Sequence, residues 1–430
     1  MGRAAAQESG IIIMMKYNPF RPNSMVNPGM FCGRENELVS IKQSLFQTKH
    51  GNPKHFLIEG ERGIGKSSLM LYVQWEASGR PLILRDTTFR FIVVSVELGG
   101  GMTAEDIIRR IGGELKAQIS EMQTLRTLAK AAWDFLSNWK LLGIEYKKEA
   151  KENDGLQATE DMARVMAQLI KASSQELDVG QQLDGILVLI DEADKPSEEA
   201  RLGEFLKLLT ERLTKLDCHN VCFGLAGLPS LIPKLRGSHE SSPRLFETLH
   251  LQTLEPAETK DVILRGLSEA KEKNGYDTEI SQEALNLLAH LAEGYPHFIQ
   301  QFAHSAYNED KDNLISDDDV WEGAFKENGA LAQLAARYFH ELYFDKISSD
   351  DYRRVLHSMT EHLGGWVSRA HIVKNAKIKE SQVNNALNAL KSRGIILINP
   401  EKAGEYRLPS TSFAVWLRAL EKKDTKSAAG

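Results

Sequence analysis

A parallel-sheet α/β core, then an all-helical domain, then a winged helix-turn-helix is the fold class that this 430-residue chain predicts. Three observations predict it. Up to about residue 255, short apolar strands alternate with helices, the pattern of a parallel sheet covered on both faces. From Pro256 to about Ile347 only helical patterns appear. From Asp350, short helices are followed by two strand-like runs around a turn. A chain of this length accommodates two or three domains.

Residues 1–28 read as an extended leader. Ile11 to Met15 is too short for a signal-peptide core and no cleavage site follows; translation from Met14 or Met15 fits the same reading. Asn18-Pro19-Phe20-Arg21-Pro22 to Pro28-Gly29 is proline-rich and extended. The core spans 29–255. It opens with a helix from Phe31–Leu38 to about Phe46, then a strand at His55 and a helix running on from Ser67. A buried strand follows at 91–96. Thr103 with Asp106 forms a helix N-cap signature, and helix continues to about Gln175, with charged residues 147–153 as a solvated insertion. A strand at 185–190, a helix at 198–216, a strand at 220–227 and a last strand at 248–254 complete the core. The lid, 256–347, holds helices at 257–274, 281–293, 297–307 and 317–344. The winged helix, 348–421, ends in a helix at about 380–392 and a hairpin of 394–398 and 405–408. Residues 422–430 are a tail.

Two motifs carry chemistry. Gly60-Glu61-Arg62-Gly63-Ile64-Gly65-Lys66-Ser67 reads G-x-x-x-x-G-K-S between a strand and a helix. Gly60, Gly63 and Gly65 let the backbone through Ile64 and Ser68 wrap a polyphosphate with its N–H groups inward. Lys66 reaches the β- and γ-phosphates, and the Ser67 hydroxyl is a Mg²⁺ ligand. The helix N-terminus behind the loop adds partial positive charge. The second motif is Gly185 to Ile190, an apolar strand that ends in Asp191-Glu192, 125 residues after Lys66. Asp191 is placed to complete the Mg²⁺ shell with Ser67. Glu192 is placed to polarise a water for attack on the γ-phosphate. The bland alternative is a charged strand terminus.

Composition excludes several classes. Hydrophobic content is 42% and charged content 26%, ordinary for a globular protein. No apolar run reaches the ~18 residues of a membrane span. Cys32, Cys218 and Cys222 make no disulfide framework, and a reducing cytoplasm fits them. Cys218 and Cys222 flank His219, but no second ligand pair follows, so buried or free thiols are the reading. The net charge of −6 is uneven: from Asp350 onward 14 Lys and Arg face 8 Asp and Glu, an excess of +6 on an acidic body.

The phosphate loop, the Asp191-Glu192 strand, Phe31 to Leu38 and Gly294-Tyr295-Pro296 together resemble the Orc1/Cdc6-like side of the AAA+ ATPases and the related STAND ATPases. The resemblance covers about Phe31 to Tyr307. It implies a RecA/AAA+-like core, ATP and Mg²⁺ as cofactors, and ATP hydrolysis. In that family the box matched by Phe31-Cys32-Gly33-Arg34-Glu35-Asn36-Glu37 lies against adenine and ribose, which assigns Gly33 and Arg34 to the nucleotide; an ordinary helix start is the alternative. The lid turn would bring Pro296 to the base; a helix-breaking turn is the alternative. Arg244 occupies the place of a trans-acting catalytic arginine, with Arg236 the second candidate, and a surface role the alternative. Two positions depart from the AAA+ pattern. The strand after Asp191-Glu192 ends Ala226-Gly227-Leu228-Pro229-Ser230 with only Ser230 polar, and His297 stands where a lid arginine is usual. Both favour the STAND side and slow turnover.

In a winged helix the second helix of the turn reads the major groove. Its polar positions here are Ser381, Gln382, Asn384, Asn385 and Asn388; Asn and Gln suit adenine edges. Lys374, Lys377, Lys379, Lys391, Arg393 and Lys402 are phosphate-contact candidates, while Trp366 and Trp416 read as core. The expectation is a cytoplasmic ATP switch that couples nucleotide state to DNA binding through residues 350–421, or to assembly. It would act as a homo-oligomer or with an effector on a separate chain. The alternative is a STAND-type signalling ATPase whose winged helix packs on the core or binds protein. A metabolic kinase is disfavoured, because no acceptor-binding residues are evident.

Overall fold

The computed structural model describes residues 16–26, 31–80, 88–138, 154–176, 182–347, 349–362, 365–399 and 402–427. The expected insertion at 147–153 and the apolar run at 11–15 lie outside them. The chain divides into two compact units: Met25–Thr253, and Leu254–Gly430 together with Met1–Ser24.

The first unit is built on five strands: β1 (His55–Glu59), β2 (Phe91–Glu97), β3 (Gly185–Asp191), β4 (Val221–Gly227) and β5 (Phe246–His250). Their order is β2-β3-β4-β1-β5, and every pairing is parallel. Eight helices accompany them among the described residues: α1 (Glu35–Lys49), α2 (Lys66–Ala77), α3 (Ala104–Glu121), α4 (Gln123–Leu128), α5 (Lys130–Asn138), α6 (Asp154–Glu176), α7 (Leu202–Lys215) and α8 (Leu231–Ser238). Strand side chains alternate between faces. Ile92, Val94, Ile186, Val188, Phe223 and Leu225 pack with α3, α6 and α7 in one apolar cluster. Each such buried side chain contributes about 1.5–3 kcal/mol relative to exposure. The other face is covered too: Phe56, Leu187, Leu189 and Cys222 are at most 1% exposed. Double burial explains why these strands read as continuous apolar runs instead of alternating ones.

Register delivers both motifs to one edge. Ile190 pairs with Leu225 and Ile58 with Ala226. The carboxylates after β3 and the loop after β1 therefore emerge at the same C-terminal edge, with β4 between them. The Thr103–Asp106 cap forms as expected, each residue's backbone N–H donating to the other's side chain. Two boundaries differ from expectation. The last strand lies at Phe246–His250, because Leu251 N–H makes a final bond to Glu59 O at 2.8 Å and the Gln252 carbonyl then turns to Arg34. The helix expected from Glu198 begins as a single 3₁₀ turn, Glu198–Ala200; Arg201, at φ 47°, breaks it before α7.

The second unit contains α9 (Pro256–Asn274), α10 (Gln282–Ala292), α11 (Pro296–Glu309), α12 (Asp317–Phe325) and α13 (Ala330–Leu334). A two-stranded parallel ladder, β6 (Glu279–Ile280) with β7 (Leu314–Ile315), ties them. The single helix expected over 317–344 is broken. Asn328 takes φ 59°, Gly329 starts α13, and the turns widen to π-helix over Ala335–Phe339 and Glu341–Asp345. Then follow α14 (Asp350–Ser358), β8 (Val367–Ser368), α15 (Arg369–Asn375), α16 (Glu380–Ser392), β9 (Leu397–Ile398), β10 (Glu405–Arg407) and α17 (Thr411–Ser427). The three strands form an antiparallel sheet in the order β8-β10-β9.

Residues 16–24 are a strap on this unit. Tyr17 exchanges hydrogen bonds with Asn274, Lys16 pairs with Asp310 at 2.5 Å, and Arg21 N–H donates to Gln300. Phe20 packs where a Cβ on Gly266 would stand 2.5 Å from its ring.

Candidate functional site

The loop after β1 turns through two left-handed glycines, Gly63 (φ 81°) and Gly65 (φ 98°), before α2 starts at Lys66. A side chain at either would be strained. Lys66 Nζ donates to the carbonyls of Gly60 and Glu61, both at 2.8 Å. Burial pushes its pKa down, opposed by the negative charges of Asp191, Asp194 and Glu61.

Ser67, one residue further on, lies close enough to the carboxylate of Asp191 to lower its pKa. Burial raises the Asp191 pKa, while Ser67 and Lys66 hold it down. A hydroxyl and a carboxylate this close at the mouth of a phosphate loop fit Mg²⁺. That ion binds few protein oxygens and keeps its remaining positions for waters and phosphates. Among the described residues no cluster of three or more His, Cys, Asp or Glu offers an all-protein metal cage. Cys218 and Cys222 form no disulfide. Both are buried, which pushes their pKa up to about 11 and about 12.

Glu192 follows directly. Its N–H donates to Asp191 Oδ1 at 2.8 Å, and its carboxylate pairs with Lys195. Lys195 Nζ also lies 3.9 Å from Glu97 at the end of β2.

Arg34 is buried, and its guanidinium donates to Ile64 O at 3.3 Å and to Gln252 O. It is also 3.7 Å from Glu37. Arg34 and Gly33 both take left-handed φ, 72° and 71°. The structure thus brings the Phe31–Glu37 box to the phosphate loop, through backbone carbonyls that the sequence did not reveal. Phe31 packs on Tyr72 of α2, with ring centroids 5.5 Å apart.

Residues 30–219 match the AAA ATPase domain family. That stretch is an AAA ATPase domain. Its nucleotide-binding and ATPase character follows from the family, and its sheet and loop are those of the P-loop AAA+ fold. A Walker-type ATPase of Pyrococcus abyssi is similar in structure over 90% of this chain and 96% of its own, at a TM-score of 0.51 and 20% identity. The ORC2 protein of Aeropyrum pernix, solved as ADPNP–ADP complexes, is similar over 92% of this chain and 95% of its own, at 0.52 and 15%. At these identities both likenesses concern the fold alone. An uncharacterised HTH-type transcriptional regulator of Methanocaldococcus jannaschii is 26% identical over 294 residues, 66% of this chain. The match spans 65% of that relative's length.

Three other candidates belong to the first unit. Arg244, in the 3₁₀ turn Ser242–Leu245, and Arg236, in the last turn of α8, are both exposed. Ser230 is exposed at the start of α8.

Pro296 belongs to the second unit, as the first residue of α11. Gly294 before it takes φ 72°, and a Cβ there would stand 2.2 Å from Leu254 O. Backbone contact alone therefore requires this glycine. His297 bonds Tyr338 Oη at 2.8 Å and Arg337 at 3.0 Å. On α16, Gln382 donates to Asp351 and Asn384 accepts from Arg369, both at 2.8 Å. Ser381, Asn385, Asn388 and Lys391 remain exposed, as do Lys374, Lys377, Lys379, Arg393 and Lys402. Trp416 is buried against Phe339 and Phe413. Trp366 corrects the expectation of a core residue: it is 37% exposed, with Arg407 5.1 Å over its ring. Among the described residues no helix is long and apolar enough to cross a membrane.

Proposed function

We propose that this chain is a Mg²⁺-dependent ATP switch that hydrolyses ATP slowly and engages DNA through its C-terminal module. The observation that carries the nucleotide half is the closeness of Ser67 to Asp191 beside Lys66, with Glu192 next in the chain. Gly60, Gly63, Ile64, Gly65 and Ser68 would wrap the phosphates, Lys66 would neutralise them, and Ser67 with Asp191 would hold the cation. Glu192 would orient the attacking water. Exchange of Lys66 from its two loop carbonyls, and of Glu192 from Lys195, must accompany productive binding. Both exchanges are consistent with slow turnover.

For the second half, the order helix–strand–helix–helix–strand–strand from α14 to β10 supports a winged helix. Its α16 leaves Ser381, Asn385, Asn388 and Lys391 free for a duplex. A second reading, a protein-binding module, has its own support. Arg407 pairs with Leu397 across the sheet and covers Trp366, and these two apolar side chains are 39% and 37% exposed.

One titration separates the readings: duplex DNA against the full chain at about 50 and 200 mM salt, with ATP or ADP. Affinity that falls steeply with salt supports phosphate contacts. No binding at the lower salt removes the DNA half and leaves the protein-binding reading. For the nucleotide half, Lys66→Ala binding ATP as well as the native chain would refute it.

A further inference from the structure

The end of β4 carries no polar side chain where the sheet edge meets the phosphate loop, since Ala226 and Gly227 stand there. The structure fills that place from the neighbouring turn. Asp194 Oδ1 accepts a hydrogen bond from Leu228 N–H at 2.9 Å. A Cβ on Gly227 would stand 2.9 Å from that oxygen, so glycine at 227 gives the carboxylate its room.

The backbone of the same turn is held twice more. Ala193 N–H donates to Ala226 O at 2.9 Å. Lys234, from α8, donates through Nζ to the carbonyls of Asp194 and Pro196. Glu192 lies between these ties and the end of β3. It takes a left-handed φ of 52°, unusual for a side chain of this kind. Such a conformation persists only where the surroundings over-determine it. Here Asp191 Oδ1 accepts from its N–H, and Lys195 N–H donates to its carbonyl at 2.9 Å.

We propose that Asp194 is a positioning residue for ATP hydrolysis: its bond to Leu228 fixes the turn that aims the Glu192 carboxylate. The inference rests on the reading of Glu192 as the group that activates water. Among the described residues Asp194 makes no hydrogen bond to the phosphate loop backbone or to the Ser67–Asp191 pair, but its charge acts on both Lys66 and Asp191. Asp194→Asn removes that charge and keeps the acceptor, so it separates the charge from the bond to Leu228.

The experiment uses the full chain with Mg²⁺ and ATP. It measures ATP dissociation constants and kcat for Asp194→Ala, Asp194→Asn, Asp194→Ser and Glu192→Gln. Asp194→Ala is expected to lower kcat about 10- to 100-fold, with ATP affinity within about threefold of native. Asn keeps an oxygen acceptor for Leu228 N–H, so Asp194→Asn is expected to restore kcat to within about threefold. A purely structural role would move melting temperature and affinity with kcat and give no selective rescue. Native kcat in Asp194→Ala, or an Asn variant no better than Ala, overturns the proposal. If Asp194→Ala does not fold, Asp194→Ser decides. Its hydroxyl is one bond shorter than the carboxylate that meets Leu228 N–H, and native kcat there overturns the proposal. Glu192→Gln separates the two levels. If that variant turns over at the native rate, the assignment of Glu192 has failed. If it is inactive while Asp194→Ala is native, only the positioning role has failed.

Discussion

Replacing Glu192 by Gln tests the chemistry of the site with little disturbance of its frame. The backbone ties of the turn, Glu192 N–H to Asp191 Oδ1 and Lys195 N–H to Glu192 O, are independent of the side-chain charge. Among the described residues the side-chain partner of Glu192 is Lys195, and the two side chains are 36% and 46% exposed. An ion pair that open to water is worth about 1 kcal/mol or less, so the melting temperature should shift by only a few degrees. Catalysis should respond on another scale. General-base assistance contributes about 10²–10⁴ in rate, or about 2.7–5.5 kcal/mol of barrier. ATP affinity should hold or rise slightly, because a negative charge near the γ-phosphate is removed while Lys66, Ser67 and Asp191 remain. The assay pairs phosphate release under single-turnover conditions with equilibrium binding of ATP. A rate within about threefold of native would refute the assigned role. Equal losses of affinity and rate would instead place Glu192 in binding.

Two further outcomes follow from buried groups. His55 is buried, which lowers its pKa from 6.5 to about 4, and it accepts a hydrogen bond from Phe223 N–H at 3.2 Å. The fold therefore binds this proton more weakly than the unfolded chain does. The resulting stability is present above pH 6.5 and is lost as pH falls towards 4, by up to about 3 kcal/mol. Denaturant titrations across that range should show the loss in the native chain and a flatter profile in His55→Asn; parallel profiles would exclude His55 as the source. Gly294→Ala combines a left-handed backbone, costing about 1 kcal/mol or more, with a Cβ 2.2 Å from Leu254 O. Destabilisation of about 2–4 kcal/mol is expected in chemical denaturation, and a loss below about 1 kcal/mol would show that the Leu254 backbone yields freely.

How much of the site was legible depends on how local its signals are. The G-x-x-x-x-G-K-S loop and the strand ending in Asp191-Glu192 are runs of adjacent residues, and each lies on the element the sequence assigned to it. Parallel pairing then brings them to one edge, a consequence of topology that alternating strands and helices already imply. The break at Asn328-Gly329 carried a turn signal in its own two residues, and the lid helix was nonetheless read through it. The start of α7 after Arg201 carried none, because an arginine at φ 47° is imposed by tertiary context.

The long-range contacts around the site were the least legible of all. Arg34 reaches Ile64 and Gln252 across 30 and 218 positions, and Asp194 reaches Leu228 across 34. Each acts by hydrogen-bonding a backbone group, so the partner's side chain leaves no trace in the sequence. Gly227 is the partial exception. Its lack of a side chain reads at first as a missing polar residue, yet the Asp194 carboxylate occupies the space that a Cβ there would crowd. A strand end without a polar side chain in an AAA domain is therefore reason to ask which neighbouring turn fills it. In this chain the fourth residue of Asp191-Glu192-Ala193-Asp194 does so.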